Sequence, residues 1–102
     1  MTNNAITRTR VLLSLQRALL GEVFPALRKV TADWSDSAVK FWAYVDGELT
    51  PQDEESLSCV SAEVAADFSP GVEIDYEIIR CDAPQRIQDG RLAVFCRREA
   101  DS

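Results

Sequence analysis

A chain of 102 residues with 46% hydrophobic and 27% charged residues is long enough for one packed core and too apolar to stay disordered, so a single domain over 1–102 is expected, with 1–6 and 99–102 as flexible tails. The net charge of −6 argues against direct nucleic-acid binding, and no apolar run reaches the roughly 20 residues of a membrane span. With no histidine, no C-x-x-C pair among Cys59, Cys81 and Cys96 and no Gly-rich phosphate loop, the commonest acid–base, zinc and nucleotide chemistries drop out. The expectation is a protein that is not an enzyme, with no metal and no cofactor, whose thiols are free and largely buried. No signal-peptide cleavage pattern follows the N-terminal segment, so a cytoplasmic location is expected.

Along the chain, Thr7 or Thr9 is a candidate N-cap for an amphipathic helix with Val11, Leu12, Leu13, Leu15, Leu19 and Leu20 as its apolar positions, ended by Gly21. Residues 26–34 alternate as a strand, Ser35-Asp36-Ser37-Ala38 supplies turn chemistry, and VKFWAYVDG (39–47) resumes as a second strand, which makes a hairpin. Thr50-Pro51-Gln52-Asp53 is the most specific local signal: an N-cap Thr, Pro at the first helical position and an acid at the third. The helix it opens carries Leu57, Val60, Val64 and Phe68 on one stripe and stops at Ser69-Pro70-Gly71. GVEIDYEIIRCD (71–82) reads as a third strand, 83–90 as a turn-rich loop and RLAVFCR (91–97) as the last strand.

The order α-β-β-α-β-β, in two similar halves, predicts an α+β fold: a four-stranded, mostly antiparallel sheet with both helices packed on one face. The other face should be open to water. Strand phase puts Val39, Phe41, Ala43 and Val45 under the helices and Lys40, Trp42, Tyr44 and Asp46 outside. It likewise turns Glu73, Asp75, Glu77 and Ile79 outward, and Arg91, Ala93, Phe95 and Arg97 with them, leaving Leu92, Val94 and Cys96 inside.

Charge is concentrated. Between Asp46 and Asp82 lie eleven carboxylates and one base, Arg80, while both flanking segments are net positive. Aromatics beside a row of carboxylates suit a protein-binding surface, in which Trp and Tyr bury area with few rotors and the acids receive Arg or Lys. The candidate partner-binding residues are therefore Trp42, Tyr44, Asp46, Glu73, Asp75, Glu77 and Phe95, with Asp53, Glu54 and Glu55 on the second helix as a further acidic cluster. Carboxylates two apart on a strand lie about 7 Å apart and could admit a divalent ion, but no Asn, His or Gly-rich loop completes a shell.

The stretches LLSLQRALLGEV (12–23), SAEVAADF (61–68) and YEIIRCDAP (76–84), separated by FWAYVDGELTPQDEE (41–55), resemble small bacterial proteins of about this length that include immunity proteins of contact-dependent growth inhibition systems. The resemblance spans nearly the whole chain and implies a cytoplasmic inhibitor that binds one cognate toxin domain, often a nuclease, without touching nucleic acid or membrane itself. It carries no binding motif to individual positions. A housekeeping interaction module or a homodimer, paired through an edge strand or the aromatic face, is the other reading.

Overall fold

The computed structural model describes residues 5–99. It contains α1 (Arg8–Leu19), β1 (Leu27–Trp34), β2 (Ala38–Val45), α2 (Pro51–Ala66), β3 (Glu73–Arg80) and β4 (Leu92–Cys96), in the expected order. The Thr7 side chain accepts from the Arg10 amide to cap α1, and Gly21, at φ +82, takes the left-handed turn that lets the chain leave it. At α2 the capping box is complete: the Asp53 amide donates to Thr50 Oγ1 at 3.1 Å and the Thr50 amide to Asp53 Oδ2 at 3.4 Å. Of the expected tails, Ile6 is buried and Glu99 is held by Arg28, while 1–4 and 100–102 lie outside the described residues.

The strands form one sheet in the order β3-β2-β1-β4. β1 pairs antiparallel with β2 as the expected hairpin and antiparallel with β4 on its other side. β3 runs parallel to β2, reached through α2 as a crossover, so the mostly antiparallel sheet holds one parallel pair. The similarity of the two halves is therefore only local: β3 and β4 make no hairpin but occupy opposite edges, and residues 81–91 must travel the width of the sheet between them.

One face carries the helices. Val11, Leu15 and Leu19 from α1 and Leu57, Val60 and Val64 from α2 close over Leu27, Val30, Val39, Phe41 and Val45, with Phe68 packed just past the end of α2. Phe41 stacks on Tyr76 with ring centroids 5.0 Å apart. Each fully buried aliphatic side chain here contributes about 1.5–3 kcal/mol relative to an exposed one. Ser14, a polar residue of α1, is buried among these apolar ones, where its hydroxyl donates to Asp67 Oδ2 at 2.7 Å beside the Arg17–Asp67 ion pair at 2.6 Å. That junction clamps the two helices, and Leu13 and Leu20 are left facing solvent.

Two further expectations change for one reason each. Between Val30 and Thr31 the β4 partner jumps from Phe95 to Ala93, so Val94 forms a bulge. Phe95 therefore pairs with Val30 and packs half-buried against the core instead of lying on the outer face, and Cys96 turns outward opposite Lys29. The thiols are not buried: Cys59 and Cys96 are exposed and Cys81 is partly covered, Cys59 because it sits off the Leu57–Val60–Val64 stripe.

Val64→Asp places an unpaired carboxylate in this core and should cost at least about 4 kcal/mol, enough to leave little folded protein in an equilibrium denaturation experiment. Thr50→Ala should lower the same unfolding free energy by about 1 kcal/mol through the lost cap.

Candidate functional site

The face away from the helices is not bare. Residues 82–91 fold across it, and Asp89 holds them there: its carboxylate, 1% exposed, receives the Thr31 hydroxyl at 2.7 Å, the Tyr44 hydroxyl at 2.6 Å and the Arg91 guanidinium at 2.9 Å on Oδ2, and the Arg91 amide at 2.9 Å on Oδ1. Burial alone would raise the Asp89 carboxyl, but these donors and the Arg91 charge outweigh it and hold it down at about 2. The same burial, with the bond to Asp89, pushes the Tyr44 phenol up to about 12. At the start of the segment the Gly47 amide donates to Asp82 Oδ1 at 2.7 Å and the Ala83 amide to Asp46 Oδ1 at 3.3 Å. Gly47 turns at φ +81 to present that amide.

Past the edge of this cover lies Trp42. The Arg91 guanidinium stacks on the indole 3.7 Å from a ring centroid, and the Lys40 ammonium lies 5.2 Å from it. Trp42 Nε1 donates to Glu77 Oε2 at 3.1 Å, and Lys40 reaches the same carboxylate at 2.8 Å and Asp75 at 3.9 Å. The Lys40 hydrogen bond, helped by its charge and by Trp42, holds the Glu77 carboxyl below its usual range. The parallel register sets Lys40 beside Asp75 and Trp42 beside Glu77, so these contacts are cross-strand neighbours. Glu73, at the head of the row, is exposed and has no ion pair or side-chain hydrogen bond among the described residues.

Glu73, Asp75, Glu77 and Trp42 thus share one surface, as the strand phase predicts. Tyr44 faces the same way but is only 8% exposed beneath the 82–91 segment, so it supports that segment instead of offering a free aromatic. Asp46 is bound to the Ala83 amide and, at 3.4 Å, to Arg97. Phe95 points to the helix side. Asp53 is occupied by the capping box, and Glu54 and Glu55 are exposed on α2, on the opposite face of the sheet from Trp42.

Strand phase sets Lys40 and Arg91 on this face without giving them a part in the site, and Asp89 escapes it altogether. Asp89-Gly90 has the composition of an ordinary turn, and nothing in a turn signal says that its carboxylate is buried. The clue is Thr31 and Lys29 facing outward in a central strand that an adjacent segment must cover. At the far edge a second group gathers: Arg28 is buried against Glu99 at 2.7 and 2.9 Å, its Nη1 also donating to the carbonyls of Cys81 and Gln85, and Lys29, Arg86, Arg97 and Arg98 surround the same depression. Arg28 holds the Glu99 carboxyl down at about 2. The β4 side is therefore basic and the β3 side acidic. Among the described residues no cluster of three His, Cys, Asp or Glu side chains could hold a metal ion, and no helix is long and apolar enough to cross a membrane.

A family model described as MafI2 immunity protein matches residues 8–99. No curated protein matches the chain.

Asp89 supplies a pH signature. Its folded value of about 2 lies below the ordinary 3.8, so its contribution is fully present above about pH 5 and is lost as pH falls through 2. At 1.36 kcal/mol per unit this is about 2 kcal/mol. Asp89→Asn should lower unfolding free energy at pH 7 by on the order of 3 kcal/mol and flatten the acid limb of the stability–pH profile, measured by urea denaturation from pH 7 to pH 2.

Proposed function

Since the chain belongs to the MafI2 immunity protein family, we propose that it neutralises a cognate toxin domain by binding a basic surface on that domain with the face formed by Glu73, Asp75, Glu77 and Trp42. The observation that carries this reading is the pairing of an exposed carboxylate row with an indole already held in place by Arg91 and Glu77. A basic surface that takes the phosphates of a nucleic acid is complementary to such a row, so a toxin that cleaves nucleic acid is the partner class that fits best. The inhibitor acts by occupancy: carboxylates compete for the Lys and Arg side chains that would hold phosphate, and the protein itself performs no chemistry.

The members of the face differ in role. Glu73 and Asp75 are the most available, since Glu77 is already engaged by Lys40 and Trp42. Lys40 relieves repulsion within the row in the free protein, and a partner's guanidinium can replace it at Glu77. Trp42 supplies apolar area, and because its ring is fixed before binding, little rotamer entropy remains to be lost.

Changing Glu73, Asp75 and Glu77 together to Gln should leave the fold intact, slow association with the purified toxin domain and flatten its dependence on salt. Trp42→Ala should act mainly on dissociation, with a loss on the order of 2 kcal/mol. Both are read by surface-capture kinetics at two ionic strengths, beside a growth-protection assay in cells expressing the toxin. Unchanged rates and full protection for both variants would remove this face from the interface.

A further inference from the structure

The two edges of the sheet are finished differently. β4 is five residues long, is bulged at Val94 and is flanked by Arg91 and Arg97, all of which discourage another strand from pairing there. β3 is neither short nor bulged: it runs eight residues with an uninterrupted register on β2 and contains no proline, and the charges it carries on the Trp42 side are all carboxylates. The Glu73 amide donates to Ser37 and the Cys81 amide to Val45, both toward β2. By alternation, the amides and carbonyls of Ile74, Tyr76, Ile78 and Arg80 point away from the sheet, and no described residue bonds those amides.

Side chains flank this edge on both faces. Glu73, Asp75 and Glu77 stand on the Trp42 side, and on the helix side the exposed Ile78 shares a depression with Glu48, Leu49 and Glu54. We infer that the free edge of β3 is a strand-docking site for the toxin domain, taking an extended segment that alternates Lys or Arg with apolar residues. This rests on the function proposed above and specifies how the partner is held. The backbone of the incoming strand pairs with Ile74, Tyr76 and Ile78; its cationic side chains meet the carboxylate row, and its apolar ones extend the surface of Tyr76 and Ile78. A second copy of β3 fits poorly. The two fullest antiparallel registers, centred on Tyr76 or on Glu77, set Asp75 opposite Glu77 or Glu77 opposite itself, and like charges directly opposite are destabilising.

The test uses the full chain and the purified toxin domain. Amide exchange followed by NMR should show Ile74, Tyr76 and Ile78 exchanging freely in the isolated protein and at least about tenfold more slowly in the complex. Ile78→Pro removes an amide that β2 does not use, so the fold should persist while affinity falls at least about tenfold. If Ile78→Pro does not fold, the exchange of the wild-type protein decides. Toxin binding of wild-type strength by the folded proline variant, with the three amides of the wild-type protein still exchanging freely in its complex, would overturn edge docking and leave the acidic-face reading standing. Absence of any complex would overturn both, and protection of the same amides in concentrated protein alone would assign the edge to a second copy.

Discussion

The Asp89 carboxylate lies on the sheet with four donors around it, from β1, from β2 and from Arg91 just beyond it in sequence, and the path of residues 81–91 depends on that arrangement. A carboxylate this buried is costly unless each lone pair is used, and here the donors are hydroxyls and a guanidinium that the sheet positions without further movement. Fixing Asp89 fixes Arg91, and Arg91 in turn lies over Trp42. One buried charge therefore decides how much of the outer face is covered, where β4 begins, and which way the Trp42 indole is turned. The same segment separates β3 from β4 and so leaves each as an edge.

Around Trp42 the charges are balanced in pairs that are individually weak. Lys40, Glu77 and Asp75 are all substantially solvated, and exposed ion pairs of this kind add little to the stability of a fold. Their effect is on geometry: the hydrogen bond from the indole and the ammonium between two carboxylates hold an acidic row that would otherwise spread. A surface ordered in advance loses less freedom when a partner arrives. Such pairs also exchange readily, because a guanidinium or ammonium from outside can take the place of Lys40 without exposing an unpaired acid.

Much of the architecture was legible because local signals agreed with one another. Thr50-Pro51 with Asp53 announced α2, the spacing of Leu57, Val60 and Val64 gave its buried stripe, and strand phase put Glu73, Asp75 and Glu77 on the same side as Trp42. Periodicity failed where a register changed or a partner was distant in sequence. The Val94 bulge rotates Phe95 and Cys96 by one position, an effect no alternation pattern carries. The strand order was not readable either, since an eleven-residue connection through Pro84 can close a hairpin or cross a sheet, and the choice was made by Asp89 meeting Thr31 and Tyr44 some 45 to 58 residues earlier in the chain. Ser14 shows the same limit in a helix: its burial follows from Asp67, which its own neighbours do not predict.

The opposite charge of the two edges gives the molecule an electric dipole across the strands, in the plane of the sheet. Its poles, the carboxylates along β3 and the arginines around Arg28 and β4, are separated by the width of four strands, about 14 Å. A net charge of −6 draws a cationic body from any direction, but the dipole adds a torque that turns β3 toward it. Because that separation exceeds the Debye length of about 8 Å at physiological salt, the approaching body senses one pole at a time, and the torque acts only in the last moments before contact. Orientation is then corrected during the encounter, when random rotation would otherwise waste most collisions, and an elongated anionic protein gains a preferred leading edge without any added contact.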